Sequence, residues 1–569
     1  MVWTVVHEVV TPKHSNKTAR FRHARGISTL IGSSYLFSEH ILILWVPMGA
    51  YANEGLRSAS LRLAGLRHAV LFVAGAASAL GFAPLNLWPL TLLGLTLFVH
   101  ETAAARRLRE AAFLGWVFGV GHFVVGLNWI ATAFTFQDNM PAWLGWVAVV
   151  LLSLYLALFP ALAGALAWRV SRGRELGFVF GIAAAWMLSE WLRATLLTGF
   201  AWNPIAVAWL EVPWVPQGAR WIGTYGLSGV MLLVAGLLWL GLRRNGRVTA
   251  SVAIALIVGT YWLGHSIPTG VESPSANAIP FRVVQPNIGQ DEKYDPEETE
   301  RITHVYAHLS GRPGPVPRLL LWPEGATLRF LDIEPDARAE LAALLGPHDL
   351  LITGGPSVEL DLHGNNDVYH NSVFALDSRG ALPWRYDKSH LVPFGEYLPA
   401  RAILGRIGLA RLVPGDGDFS FGPGPRSFTL PGFFADGRPA SIGVQICYEI
   451  IFSGQVVDEA RRPTFLFNPS NDAWFGAWGP PQHLAQARLR AIEEGIPIIR
   501  ATPNGISALI SARGQLLATV ASHREGVIDG HVPPTLPPTV FSRLGLWASL
   551  LFGLVLMSAA VLLRTLPAQ

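Results

Sequence analysis

From His68 to His100 the chain carries no Asp, Glu, Lys or Arg. A run that long without charge suits a lipid environment, and it exceeds the ~20 residues that cross a bilayer core. "GFAPLN", with Pro84, interrupts it, so the spacing predicts two short helices in place of one. Further apolar runs cover 111–137, 139–168, 176–197 (broken by Glu190 and Arg193), 221–242 and 248–264, and a last one, 544–563, lies between Arg543 and Arg564. The expectation is a polytopic α-helical membrane domain of about eight spans, seven together and one at the C-terminal end. Composition agrees: 51% of residues are hydrophobic, 14% are charged, and there are 21 Trp, a residue favoured at membrane interfaces.

The loops orient these spans. "ETAAARRLRE" (101–110), "RVSRGRE" (169–175), "RRNGR" (243–247) and the tail from Arg564 carry the arginines, whereas 83–86 and 135–141 carry no Lys or Arg. With basic loops on the cytoplasmic side, residues 265–542 fall on the outer side of the membrane, which in a bacterial inner membrane is the periplasm. The same loops account for the formal charge of +4 without a nucleic-acid partner, since no long Lys/Arg block exists. Residues 1–65 form a basic extension with one apolar patch, 41–52, too short for an ordinary span; translation starting near Met48 is a second reading of that segment.

Residues 265–542 read as an α/β domain. Short apolar runs ending in Pro, Asn or Gly recur at 281–287, 318–324, 350–356, 371–377, 441–447, 464–470 and 506–511 and predict buried strands, alternating with helices at 295–310, 336–345 and 481–494. "PPTLPPT" (533–539) predicts a stiff connector to the last span. The single cysteine excludes an intrachain disulfide and a multi-cysteine metal site.

Three strand ends carry reactive side chains: Glu324 in "LLLWPEGA", Lys388 and Glu396 in "YDKSHLVPFGEYLP", and Cys447 in "GVQICYE". Each has a plain alternative. The cysteine can be a small core residue, Glu324 a solvated loop acid and Lys388 a surface charge. Taken together they form the set that acyl transfer through a thioester needs: a thiol nucleophile, a carboxylate to move its proton and a cation to stabilise an oxyanion.

These motifs resemble the Glu–Lys–Cys triad motifs of the nitrilase (carbon–nitrogen hydrolase) superfamily. With seven predicted spans before them and one after, about residues 66–565 resemble the bacterial apolipoprotein N-acyltransferase family. The resemblance implies a nitrilase-like α-β-β-α sandwich over 265–542, between a membrane domain (66–264) and a C-terminal span with a short tail (543–569). It implies Glu324 as general base, Lys388 as oxyanion stabiliser and Cys447 as nucleophile, with Glu396, Tyr448 and Glu449 supporting them and the Tyr448 N–H completing the oxyanion hole. Trp474, in "NDAWFGAWG", and Tyr294, at a position where better-known members carry tryptophan, fall in substrate-binding segments. The implied reaction moves an acyl chain from a phospholipid, typically phosphatidylethanolamine, to the α-amino group of a diacylglyceryl apolipoprotein. No cofactor or metal is implied, and a monomer is expected.

Other features stay open on sequence alone. Glu190 and Arg193 stand three apart and would meet on one helix face, as a structural pair or a functional one. Trp202 and Trp214, in "GFAWNPIA" and "VPWVP", fall at the outer interface, as belt anchors or as the lining of a lipid entrance. His363 and His370 read as loop or core residues, and the Gly/Pro-rich stretch within 403–427 as a candidate lid. The rival functions are a membrane-tethered amidase, in which water resolves the thioester, and a transporter with a large outer domain. The latter would need polar or broken spans around a midplane site.

Overall fold

A computed structural model of the chain describes residues 54–136, 141–171, 173–244, 246–265, 278–361, 367–401, 418–430 and 440–565. The chain divides into Met1–Ala64 and Gly65–Gln569. The predicted basic extension falls almost wholly, His363 wholly and the candidate lid largely outside the described residues.

Helices stand at each of the apolar runs: α1 (Glu54–Ala79), α2 (Trp88–Ala103), α3 (Leu108–Gly126), α4 (Leu144–Leu156), α5 (Leu158–Ser171), α6 (Glu175–Thr195), α7 (Ala219–Arg244) and α8 (Arg247–His265). The His68–His100 run is split as expected, between α1 and α2. The run 139–168 is jointed at Ala157, between α4 and α5, because Pro160 has no N–H to give the carbonyl of Leu156. In α7, Gly223 takes φ +70° and ψ 177°, and a Cβ there would lie 2.3 Å from the Phe541 ring, so only glycine serves at this kink. Among the described residues, five helices are long and apolar enough to cross a membrane: Leu108–Gly126, Leu144–Ser171, Glu175–Thr195, Val215–Arg243 and Leu546–Thr565.

The remaining residues build two six-stranded sheets. One has the order β12-β1-β2-β3-β4-β5, the other β11-β10-β9-β8-β7-β6. Their strands are β1 (Pro280–Gln285), β2 (Leu319–Leu321), β3 (Leu350–Glu359), β4 (Val368–Asp377), β5 (Trp384–Asp387), β6 (Ser427–Leu430), β7 (Ala440–Val444), β8 (Phe465–Pro469), β9 (Ile498–Ala501), β10 (Ser507–Ile510), β11 (Leu516–Val520) and β12 (Gly526–His531). Each sheet has three parallel strands, β1-β2-β3 and β7-β8-β9, flanked by antiparallel ones. All seven predicted runs are strands.

Side-chain alternation explains the layering. Leu319 and Leu321 point into a core shared with Val444, Phe465 and Phe467 of the other sheet, while Leu320 packs on the opposite face with Tyr306. Tyr306 belongs to α9 (Thr299–Ser310), which with α10 (Pro335–Ala342) covers the first sheet; α11 (Gly479–Glu494) contributes Leu484, Ala487 and Ala491 to the core beside the second. The result is the expected α-β-β-α sandwich.

That core does not stop at the sandwich. Phe123, Leu127, Trp129, Leu156, Phe159, Ala194, Trp202 and Tyr225 from the helical part belong to the same buried cluster as Cys447 and the strands. The proline-rich connector is likewise tied down: Leu536 N–H donates to the Gly495 carbonyl at 3.0 Å, and Thr539 Oγ1 donates to the Glu493 carbonyl. The last helix, α12 (Leu546–Thr565), follows it.

Candidate active site

Glu324 follows β2 through Trp322 and Pro323; Lys388 follows β5 directly; Cys447 lies three residues beyond β7. Strand ends meet where the sheets do, which brings these three side chains together although the chain separates them widely. Lys388 is 1% exposed, and Glu324, Glu396 and Cys447 are buried beside it.

Lys388 Nζ donates to Glu396 Oε1 at 2.9 Å and to Glu324 Oε1 at 3.2 Å. Asn371 Nδ2 donates to the same two oxygens, at 2.7 Å each, and the Lys388 N–H donates to the Asn371 carbonyl at 2.9 Å. Asn371 therefore clamps both carboxylates and the lysine strand. Glu324 also accepts from the Asn471 N–H (2.7 Å, to Oε2), and its charge acts on the neighbouring Cys447 thiol. Glu396 is fixed by the Val392 N–H, 2.8 Å from its Oε2.

Burial pushes the Glu324 carboxyl up, but the Lys388 ammonium and the Asn371 bond outweigh it and hold the group below the usual glutamate range. Burial also works against the Lys388 charge, and the Glu324 and Glu396 carboxylates overcome it, so the lysine stays an ammonium. Burial and the Glu324 charge push the Cys447 thiol well up, against the pull of Lys388. At rest the site holds a carboxylate, an ammonium and a neutral thiol.

Cys447 has φ +50°, a left-handed conformation rare for a residue with a Cβ, and it opens a short 3-10 turn, Cys447–Ile451. Glu449 ties that turn to the lysine strand. Its carboxylate accepts from the Ile446 N–H (2.6 Å), the Ser389 N–H and hydroxyl (both 2.7 Å), the His390 N–H (3.2 Å) and the Tyr386 hydroxyl (2.9 Å). Burial raises the Glu449 carboxyl, opposed by those bonds. Glu449 thus fixes the Lys388 segment relative to Cys447.

The helical part closes the other side. Tyr448 donates its hydroxyl to the Gly199 carbonyl at 3.1 Å, and the His390 ring stacks on Phe452 at 3.7 Å. Trp474 is half-buried and meets Phe136 edge-on at 5.6 Å. Tyr294 is 40% exposed, with the Lys293 ammonium 5.6 Å from its ring centroid.

Two expectations need correction. Trp202 is not at a lipid-facing interface: it is fully buried, its Nε1 donating to Gln482 Oε1 at 2.8 Å, with its ring 4.5 Å from Trp129. Trp214 is half-buried and lies edge-on to His265 and Tyr261. Glu190 and Arg193 face each other as counter-charges but make their hydrogen bonds to other groups. Glu190 accepts from the Ile205 N–H (2.7 Å) and Trp186 Nε1 (2.9 Å), and Arg193 donates to the carbonyls of Trp202 (2.7 Å) and Phe200 (3.0 Å). Both hold the 200–205 segment against the sandwich. His370 is a core residue, its Nδ1 3.0 Å from the Ser420 carbonyl.

Sequence reasoning missed Asn371 and a buried trio behind the turn, Asp472, His483 and Arg500. Among the described residues no group of three or more His, Cys, Asp or Glu is placed to hold a metal ion.

A sandwich bearing this Glu–Lys–Cys cluster defines a carbon–nitrogen hydrolase domain, and residues 315–536 match the carbon-nitrogen hydrolase family. Residues 74–237 match the apolipoprotein N-acyltransferase N-terminal domain. A curated apolipoprotein N-acyltransferase of Allorhizobium ampelinum is 35% identical over 530 residues, covering 90% of this chain and 98% of that one. Another, of Rhodopseudomonas palustris, is 36% identical over 525 residues, covering 88% and 96%. Among solved structures, a Saccharomyces cerevisiae member of the nitrilase superfamily aligns at 18% identity and a TM-score of 0.31, over 46% of this chain and 93% of that one. The chain belongs to the apolipoprotein N-acyltransferase family.

Proposed function

We propose that the protein transfers an acyl chain from a phospholipid, through a Cys447 thioester, to the α-amino group of the diacylglyceryl-cysteine that begins an apolipoprotein. The observation that carries this reading is the buried cluster in which Lys388 Nζ donates to Glu324 (3.2 Å) and Glu396 (2.9 Å) beside the buried Cys447, in a chain with bilayer-length helices.

In the first half-reaction Glu324 takes the thiol proton as sulfur attacks the ester carbonyl. The Lys388 ammonium and the Tyr448 N–H stabilise the oxyanion, and the N–H groups at the start of the Cys447–Ile451 turn have no acceptor within it. Collapse breaks the ester C–O bond, and Glu324 returns its proton to the departing lysophospholipid oxygen. In the second, the lipoprotein amine attacks the thioester, Glu324 removes the amine proton, and an amide and a free thiol result. Burial of the cluster keeps water from the thioester.

The arrangement in the cell follows from the basic loops: eight spans, residues 66–264 and 543–569 in the bacterial inner membrane, and 265–542 in the periplasm, where both lipid substrates present their head groups. Phosphatidylethanolamine is the donor we assign, and the working form is a monomer. Tyr294 and Trp474 flank the lipid path.

Intact-mass spectrometry after incubation with phosphatidylethanolamine tests the reading. It requires a gain of one acyl chain on Cys447 that a diacylglyceryl-cysteinyl peptide discharges. Discharge by water alone makes the protein a tethered hydrolase, and no adduct in a folded, lipid-bound sample removes Cys447 from the chemistry.

A further inference from the structure

The oxyanion donor assigned to Tyr448 belongs to a peptide whose other end is gripped from the interior. His483, on α11, is fully buried, and its Nε2 lies 3.0 Å from the Cys447 carbonyl oxygen. A carbonyl only accepts, so Nε2 carries the hydrogen. With its hydrogen on Nε2, the ring offers Nδ1 as an acceptor to Arg500 Nη2, 3.0 Å away, and that nitrogen also donates to both oxygens of Asp472 at 2.7 Å. The Trp202 and Phe475 rings pack on it at 5.4 and 5.8 Å.

The Cys447–Tyr448 peptide is trans; among the described residues the only cis bond is Ala83–Pro84. In a trans peptide the C=O and the following N–H lie in one rigid plane and point in opposite directions. A bond that fixes the Cys447 oxygen therefore fixes the aim of the Tyr448 N–H. The residue that needs this fixing is one whose φ of +50° leaves the turn with a conformation few residues hold unaided. Polarising the C=O also sharpens the N–H as a donor.

We infer that His483 is a positioning residue for acylation: by donating to the Cys447 carbonyl it sets the plane of the Cys447–Tyr448 peptide and aims the Tyr448 N–H at the oxyanion. Arg500, anchored on Asp472, holds the imidazole in register. This rests on Cys447 being the nucleophile, as proposed above.

The test compares two reactions of the same thiol in the full-length protein. Acylation by phosphatidylethanolamine builds an oxyanion; alkylation by iodoacetamide, a displacement at a CH₂ carbon, does not. His483→Leu is expected to slow acylation by up to about 10²-fold, the scale of one oxyanion donor, with the phospholipid KM and the alkylation rate unchanged. His483→Gln, whose amide reaches the position of Nε2, is expected to restore most of the acylation rate and keeps the test valid should the Leu variant fold poorly. Parallel loss of acylation and alkylation, an unaffected acylation rate, or a Gln variant no faster than the Leu variant would each overturn the inference. Failure of the unaltered protein to acylate at all would instead sink the reading of Cys447.

Discussion

Around Cys447, buried charges face one another: Lys388 is bracketed by Glu324 and Glu396. At the seam between helices and sandwich, buried charges mostly face uncharged groups. Glu190 and Arg193 hold the 200–205 segment by its backbone, and Glu493 accepts from the Thr224 N–H (2.6 Å) and the Ser453 hydroxyl (2.7 Å) beside its ion pair with Arg490 (3.1 Å). On the function proposed above, the difference separates chemistry from architecture. A backbone amide cannot change its charge, so it fixes position. A carboxylate beside an ammonium sets which proton sits where, and proton transfer needs that. By the reading proposed above, Glu324 and Lys388 do chemistry because that ion pair adjoins the proposed nucleophile.

The contrast can be broken by substitution. Cys447→Ala should abolish the acyl adduct in an intact-mass assay while the thermal unfolding midpoint stays within a few degrees; a residual adduct elsewhere would move the nucleophile. Glu324→Gln should slow acylation by about 10²–10⁴-fold, the reach of a general base. Lys388→Met should slow it by about 10²–10³-fold with phospholipid binding retained. A near-normal rate in Lys388→Met would make the lysine a structural counter-ion, like those of the seam.

The charge-on-charge cluster also makes a pH prediction that the seam does not. Glu324 is held below the usual range, so it stays ionised until the pH falls under about 4.3, the ordinary glutamate value. Acylation should therefore be level across neutral pH and fall only on the acid side of that value. The sign for stability is the same: the ion pair contributes above the unfolded-state value and is lost as pH falls through the lower folded one. An acid limb near pH 6 (about two pH units too high for this pair) would mean that burial, and not Lys388, governs Glu324. The smallest effect on rate belongs to the seam. Gln482→Leu removes the acceptor of Trp202 Nε1 and of Asn203 Nδ2 (2.9 Å) and should cost about 1–3 kcal/mol in unfolding, with acylation slowed less than by any change around Cys447.

The sequence exposed the set because each member ends a strand-like run: Glu324 after the buried "LLLWP", Cys447 after the largely buried "SIGVQI" and Lys388 after the half-buried "WRYD". Asn371 was hidden, since an asparagine at the head of an apolar strand looks the same whether it clamps two carboxylates or none. Asp472, His483 and Arg500 come from three different elements, and no local pattern joins them. The strands that escaped notice are short or polar: β11 is largely exposed, and β12 reads "GVIDGH". Glu190 and Arg193 misled for the opposite reason. Helical spacing shows which side chains share a face and is blind to a neighbouring loop that offers better partners.

Trp202 enters the sequence among membrane segments and ends within the buried cluster that holds Cys447. Heredity should see those two regions as a single object. A chimera that sets the helices of one such protein beneath the sandwich of a distant relative would join two halves of a core that never matched, so changes on one side of the seam are expected to survive only beside compensating changes on the other.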